Sequence, residues 1–262
     1  MRAPKRICSR ASRCWSSCWR EDTLPRRRRA AVCSVLKLLI LPGLDGTGAR
    51  LTPFIRELGP TEARVIPYPR DEPMGYAELE SLVRAALPGA GRYVLLAESF
   101  SGPLAIRIAA DPPEGLAGVI LCGTFASNPF PWLGPLRALA AWLPLRSLPR
   151  WLRAPLMWSS LDPRRATPQK ERAMAGVAAA VLRGRLREVL QVDETSRLAA
   201  VRLPMLILAA NRDRIVPRSA TRRLLQCMPG AELTLIEGPH LLLQCCPAAC
   251  AAVVLKFLRR WN

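Results

Sequence analysis

The chain is poor in the residues that most often carry polar chemistry. Of its 262 residues one is histidine, His240, and lysine occurs only at Lys5, Lys37, Lys170 and Lys256. A single imidazole offers little for a zinc site. The cysteines offer no more, because Cys14-x3-Cys18 and Cys245-Cys246-x3-Cys250 lack the C-x2-C spacing of paired metal ligands. The nine cysteines are an odd number with no clear secretory signal before them, which argues against a disulfide framework. They read as reduced, mostly buried thiols of a cytoplasmic protein. No apolar stretch reaches the ~18 residues that a membrane span needs. An internal repeat and a nucleic-acid-binding motif are missing too. The net charge of +19 comes mainly from arginines scattered singly over helical segments. It therefore reads as compositional bias rather than as a specific nucleic-acid surface.

What is present is apolar and ordered in sequence. Half of the residues are hydrophobic, enough for one large α/β domain or two small ones. Residues 1–35 stand apart: basic, nearly free of acids, without apolar periodicity and ending near Arg26–Arg29. Two readings of this tail stay open, a disordered segment and an overextended start of the reading frame. A targeting peptide fits less well, since Lys37 interrupts the apolar run that would have to serve it. From residue 36 onward, strand-like runs (36–41, 63–68, 93–97, 118–122, 205–209 and 233–237) alternate with helical stretches. Those helices are expected over 51–58, 76–87, 103–110, 218–228 and 247–260. Apolar strands alternating with helices predict a mostly parallel central sheet covered by helices on both faces.

One stretch breaks the alternation. About 124–200 is a proline-punctuated helical insert carrying Trp132, Trp142, Trp151 and Trp158. Part of it must be a helical subdomain with its own core. As a functional element it would cap the carboxyl ends of the strands, with Trp132 and Trp142 lining an apolar substrate pocket.

The most informative stretch is V-L-L-A-E-S-F-S-G-P, Val94 to Pro103. An apolar strand runs into a helix opened by Gly102 and Pro103, and Ser99 lies at the junction between Ala97 and Ser101. A nucleophile elbow needs small residues two before and two after the nucleophile, because the tight turn brings them together; glycine is usual at both. Here Ala97 and Ser101 stand instead, which crowds the turn. A frame centred on Ser101 would place Pro103 at its +2 position and fits less well. An ordinary strand-to-helix turn with serines near the N-cap is the plainer alternative. Within the elbow reading Ser101 is only a small spacer, and Ser101→Gly is expected to be harmless.

A serine hydroxyl needs a base near neutral pH. His240, one short loop beyond the last strand in I-E-G-P-H, is the available imidazole. The carboxylate that orients it is expected to be Asp213 of N-R-D-R-I-V-P, with Asp193 and Glu194 as weaker rivals. The oxyanion donors are expected to be the backbone N–H groups of Phe100, after the elbow, and of Leu44, in the glycine-rich loop Leu41–Gly48. That loop lacks the lysine of a P-loop, and its glycine spacing differs from a dinucleotide fingerprint.

Taken in order, P-G-L-D-G-T-G, A-E-S-F-S-G, N-R-D-R-I-V-P and G-P-H resemble the α/β-hydrolase superfamily over roughly 36–262. The resemblance is to small carboxylesterases and acyl-carrier methyl ester esterases. It implies a helical cap and a Ser99–Asp213–His240 hydrolase without metal or organic cofactor. The expected reaction is cleavage of an ester or thioester with an apolar acyl group, on a small molecule or an acyl carrier. An acyltransferase, a cofactor-free haloperoxidase and an inert binding protein on the same fold are the alternatives. The amino-terminal hairpin common in the superfamily is not recognisable in 1–35, so a trimmed sheet is expected.

Overall fold

The computed structural model describes residues 36–133 and 176–261. The tail 1–35 and most of the tryptophan-rich insert, Trp142 included, lie outside the described residues.

Six strands form one parallel sheet among the described residues. They are β1 (Lys37–Leu41), β2 (Ala63–Val65), β3 (Tyr93–Glu98), β4 (Leu116–Cys122), β5 (Met205–Ala210) and β6 (Glu232–Ile236). Their order is β2-β1-β3-β4-β5-β6. Each strand coincides with an expected run, give or take two residues, except β2. There the pairing stops after Ile66 N–H donates to the Ile40 carbonyl. Pro67 and Pro69 have no N–H with which to continue the ladder.

The helices are α1 (Thr52–Glu57), α2 (Tyr76–Ala86), α3 (Gly102–Ala110), α4 (Ala179–Gln191), α5 (Thr195–Ala200), α6 (Arg218–Cys227), α7 (Leu242–Cys245) and α8 (Pro247–Leu258). Side chains on a strand alternate between faces, and here both sets are apolar. Leu39, Leu41, Leu95, Ala97, Val119, Leu121 and Ile207 pack against α2, α3, α5 and α6 through residues such as Leu79, Leu104, Leu198 and Leu224. Leu38, Ile40, Val94, Leu96, Ile120 and Leu208 pack on the other side against Phe54 of α1 and Val254 and Phe257 of α8. Burial on both faces is why the inner strands β1, β3, β4 and β5 lack polar alternation.

The strand order reverses between β1 and β3. Their carboxyl ends open a crevice there, because the chains leaving them diverge to opposite sides. The loops after β1 and β3 face each other across that crevice.

Candidate active site

At the end of β3 the chain turns through a single helical turn, Ser99–Ser101, before α3 begins. Ser99 has φ of +50°, the one non-glycine residue with positive φ among the described residues. A left-handed conformation is costly for an L-residue and persists only when its surroundings enforce it. Three contacts do so here. The Thr124 hydroxyl, just past β4, donates to the Ser99 carbonyl. Gly102 N–H donates to the same carbonyl. Tyr76 Oη donates to the Phe100 carbonyl at 2.8 Å, and its ring stacks on Phe100.

Gly102 leaves room for Thr124. A Cβ at position 102 would lie 2.0 Å from Thr124 Oγ1. Gly102→Ala should therefore expel the threonine and lower stability by about 1–3 kcal/mol, as overpacking does. A thermal melt checks this, and an unchanged Tm would show that Thr124 can move freely.

Ser99 Oγ lies 2.9 Å from His240 Nε2. His240 Nδ1 lies 2.8 Å from Asp213 Oδ2, with both side chains nearly withdrawn from solvent. A carboxylate can only accept, so Nδ1 carries the proton and Nε2 is left to accept from Ser99. Asp213 is held from behind, its Oδ1 accepting from Ile215 N–H and Val216 N–H, both at 2.8 Å.

Two neighbouring loops bring the pair together. Past β5 and β6, Asn211 N–H donates to the Ile236 carbonyl, Arg212 N–H to the Gly238 carbonyl, and Gly238 N–H to Asn211 Oδ1. The β5 loop thus carries Asp213 and the β6 loop carries His240, laced at fixed separation.

The rival acids are engaged elsewhere. Asp193 Oδ1 accepts from the backbone and hydroxyl of Thr195 at the start of α5. Glu194 is buried between Arg107 of α3 and Arg197.

Of the two expected oxyanion donors, Phe100 N–H belongs to the peptide whose carbonyl Thr124 and Gly102 hold. It is also a first-turn donor without an intrahelical partner. Leu44 N–H follows β1 and has no acceptor among the described residues. An apolar cluster of Val177, Val181 and Leu182, at the start of α4, packs against Leu44. Arg185 of α4 donates from Nη1 to the Leu44 carbonyl and from Nη2 to the Pro69 carbonyl, at 2.9 and 2.8 Å. Trp132 is 72% exposed, edge-on to Phe130.

Several residues at the site escaped the sequence reading. Thr124, Tyr68, Arg185 and Gln244 have no local motif. Ser101, expected to be a spacer, is fully buried and hydrogen-bonded through its hydroxyl to Pro42 and Tyr68. Glu98 had a signal, a carboxylate closing an otherwise apolar strand. Burial pushes its carboxyl above the usual range, against the pull of the Arg50 charge and the Gln244 hydrogen bond. Among the described residues, no group of His, Cys, Asp and Glu could hold a metal ion. Cys122 and Cys250 are buried, and burial pushes both thiols up, Cys250 to about 12. No helix among the described residues is long and apolar enough to cross a membrane.

The sheet order, the crevice and the elbow are those of the α/β-hydrolase fold. A lipase-esterase related protein from Clostridium acetobutylicum superposes with a TM-score of 0.71 at 13% identity, covering 86% of this chain and 95% of that one. An enol-lactonase from Burkholderia xenovorans gives 0.70 at 16% identity, covering 86% and 92%. The family model described as serine aminopeptidase, S33, matches residues 76–242, more than half of the chain. The chain belongs to this family of α/β-hydrolases. A protein of Caulobacter sp. (strain K31) named for carbamate hydrolysis, RutD, is 37% identical over 79 residues, 30% of either chain. The matched stretch thus spans under a third of that relative's length.

Proposed function

We propose that the protein is a serine hydrolase that cleaves a carboxylic ester or thioester with an apolar acyl group. The observation that carries this reading is the unbroken series from Ser99 Oγ to His240 Nε2 and from His240 Nδ1 to Asp213 Oδ2, starting at a left-handed elbow residue. Ser99 Oγ attacks the acyl carbon while His240 Nε2 takes its proton. The oxyanion forms between Leu44 N–H and Phe100 N–H. Collapse breaks the bond to the leaving oxygen or sulfur, which takes the proton from His240. Water, activated by the same imidazole, then releases the acid and regenerates Ser99.

The apolar cluster on Leu44 supports an apolar acyl group, because that side chain borders the place where the carbonyl must sit. Lactone and carbamate, the bonds named for two of the similar proteins, need the same attack on a carbonyl. They belong in the same assay.

The test is a fluorophosphonate followed by peptide mapping, alongside p-nitrophenyl esters from acetate to octanoate, a lactone and an aryl carbamate. The expected results are one adduct on Ser99 and kcat/KM rising from acetate toward medium chains. A folded protein that takes no adduct and turns over none of the panel would overturn the hydrolytic reading in favour of an inert fold. A carbamate or lactone turned over far better than every ester would replace the substrate class and leave the mechanism standing.

A further inference from the structure

We propose that Glu98 and Ser101, on either side of Ser99, are positioning residues that grip one peptide of the facing loop and thereby aim the Leu44 N–H at the oxyanion. The inference rests on the serine-hydrolase reading for its catalytic consequence, though not for its geometry.

The gripped unit is the Pro42–Gly43 peptide, just past β1. Its carbonyl accepts from the Ser101 hydroxyl. Its N–H donates to Glu98 Oε2 at 3.2 Å. Both polar ends of one planar group are thus held from the elbow, so the plane cannot rotate about the chain direction without breaking one bond or the other.

The donors can be assigned. A carbonyl only accepts, so the single Ser101 proton goes to Pro42. Tyr68 Oη, 2.6 Å from Ser101 Oγ, must then be the donor in that pair. Burial pushes the Tyr68 phenol well up, which keeps its proton in place at working pH. On the other side, Gln244 Nε2 donates to Glu98 Oε1 at 2.6 Å and fixes the carboxylate from behind.

The next two peptides are also tied. Gly46 N–H donates to the Gly43 carbonyl at 2.9 Å, and Arg185 holds the Leu44 carbonyl. Asp45, the next residue, is locked to Arg50 by a buried ion pair at 2.6 Å. From residue 42 to residue 44 the one polar backbone group that takes no part in this lattice of bonds is the Leu44 N–H, the group the oxyanion needs. A donor fixed in advance does not have to reorganise when charge develops, which is where such groups gain their effect. Glu98 is an expensive way to hold a loop if folding were its only purpose, because a buried carboxylate with no direct cationic partner opposes folding. That cost grows as pH rises through its raised pKa, since the folded state binds the proton more readily than the unfolded chain.

The experiment uses the full chain with p-nitrophenyl butyrate as substrate, an alkyl trifluoromethyl ketone as inhibitor, and amide hydrogen exchange over residues 42–47. Glu98→Met removes both acceptor oxygens at similar volume, and Ser101→Ala removes one oxygen. Each is expected to lower kcat by roughly 10- to 100-fold, the range for a displaced rather than deleted donor. KM should stay within about twofold, since the oxyanion contact belongs to the transition state. Inhibition by the ketone, whose serine adduct carries an oxyanion, should weaken by a similar factor, and exchange over 42–47 should quicken. Glu98→Gln keeps an acceptor for Gly43 N–H and should recover most of the kcat that Glu98→Met loses. The proposal is overturned if folded Ser101→Ala keeps wild-type kcat and exchange, if the loss lies in KM, or if Glu98→Gln is as damaging as Glu98→Met. Should Glu98→Met not fold, Ser101→Ala decides alone. Should the wild type neither hydrolyse the ester nor take a fluorophosphonate, the hydrolase reading has failed. The exchange measurement then still decides the grip, and unchanged exchange in Ser101→Ala refutes it.

Discussion

Ser99→Ala is expected to lower kcat by on the order of 10⁶-fold, the scale on which removal of a triad nucleophile acts. It should also abolish fluorophosphonate labelling. No neighbouring hydroxyl can take over. Ser101 is fully buried, and its one proton is committed to the Pro42 carbonyl. The Thr124 hydroxyl is committed to the Ser99 carbonyl. Alanine removes only Oγ, so the melt should stay close to wild type. A residual rate above the solvent reaction is expected from the two oxyanion donors alone. A variant that retains more than about a hundredth of wild-type turnover would mean that Ser99 is not the nucleophile.

Asp213→Asn should lower kcat by about 10⁴-fold, comparable to the known loss when a triad acid becomes an amide. The geometry explains why the amide would be damaging rather than neutral. Position Oδ1 faces two N–H donors, from Ile215 and Val216, so the amide oxygen must occupy it. That turns the NH₂ group toward His240 Nδ1, which then has to accept. The ring proton moves to Nε2, where it meets the Ser99 hydroxyl donor to donor, and no base remains for the attack. KM and Tm should change little. Asp193→Asn serves as the comparison and should stay within about twofold of wild type, because its carboxylate is spent on Thr195 at the start of α5. If Asp193→Asn proves the damaging change and Asp213→Asn is nearly silent, the acid has been misassigned.

Much of this architecture was legible before any coordinates. The inner strands β1, β3, β4 and β5 were readable because each is buried on both faces and so appears as an apolar run, whereas the edge strands β2 and β6 are partly exposed and mix polar with apolar residues. Only β2 came out short, for want of donors at Pro67 and Pro69. The order Ser99, Asp213, His240 was equally legible, since each residue stands just past a strand. In a parallel sheet all such loops gather at one edge. With a single histidine in the chain, the candidate base was named by elimination.

What only the tertiary structure decided is the second rank of polar groups. Tyr68, Thr124, Arg185 and Gln244 reach the elbow and the β1 loop from four separate places in the chain. Their spacing from Ser99 follows from how the layers stack, and no local pattern encodes it. The same is true of Ser101. In sequence it is a small residue where glycine is usual, and its hydroxyl acquires a task only when β1 lies beside β3 and brings Pro42 within reach. Local periodicity reports which residues face a core. Which donor meets which acceptor across that core depends on distances set by packing between segments far apart in sequence. For that reason the sequence by itself determined the sheet and the chemical cast of the crevice, and the packed layers alone decided how the crevice is held in shape.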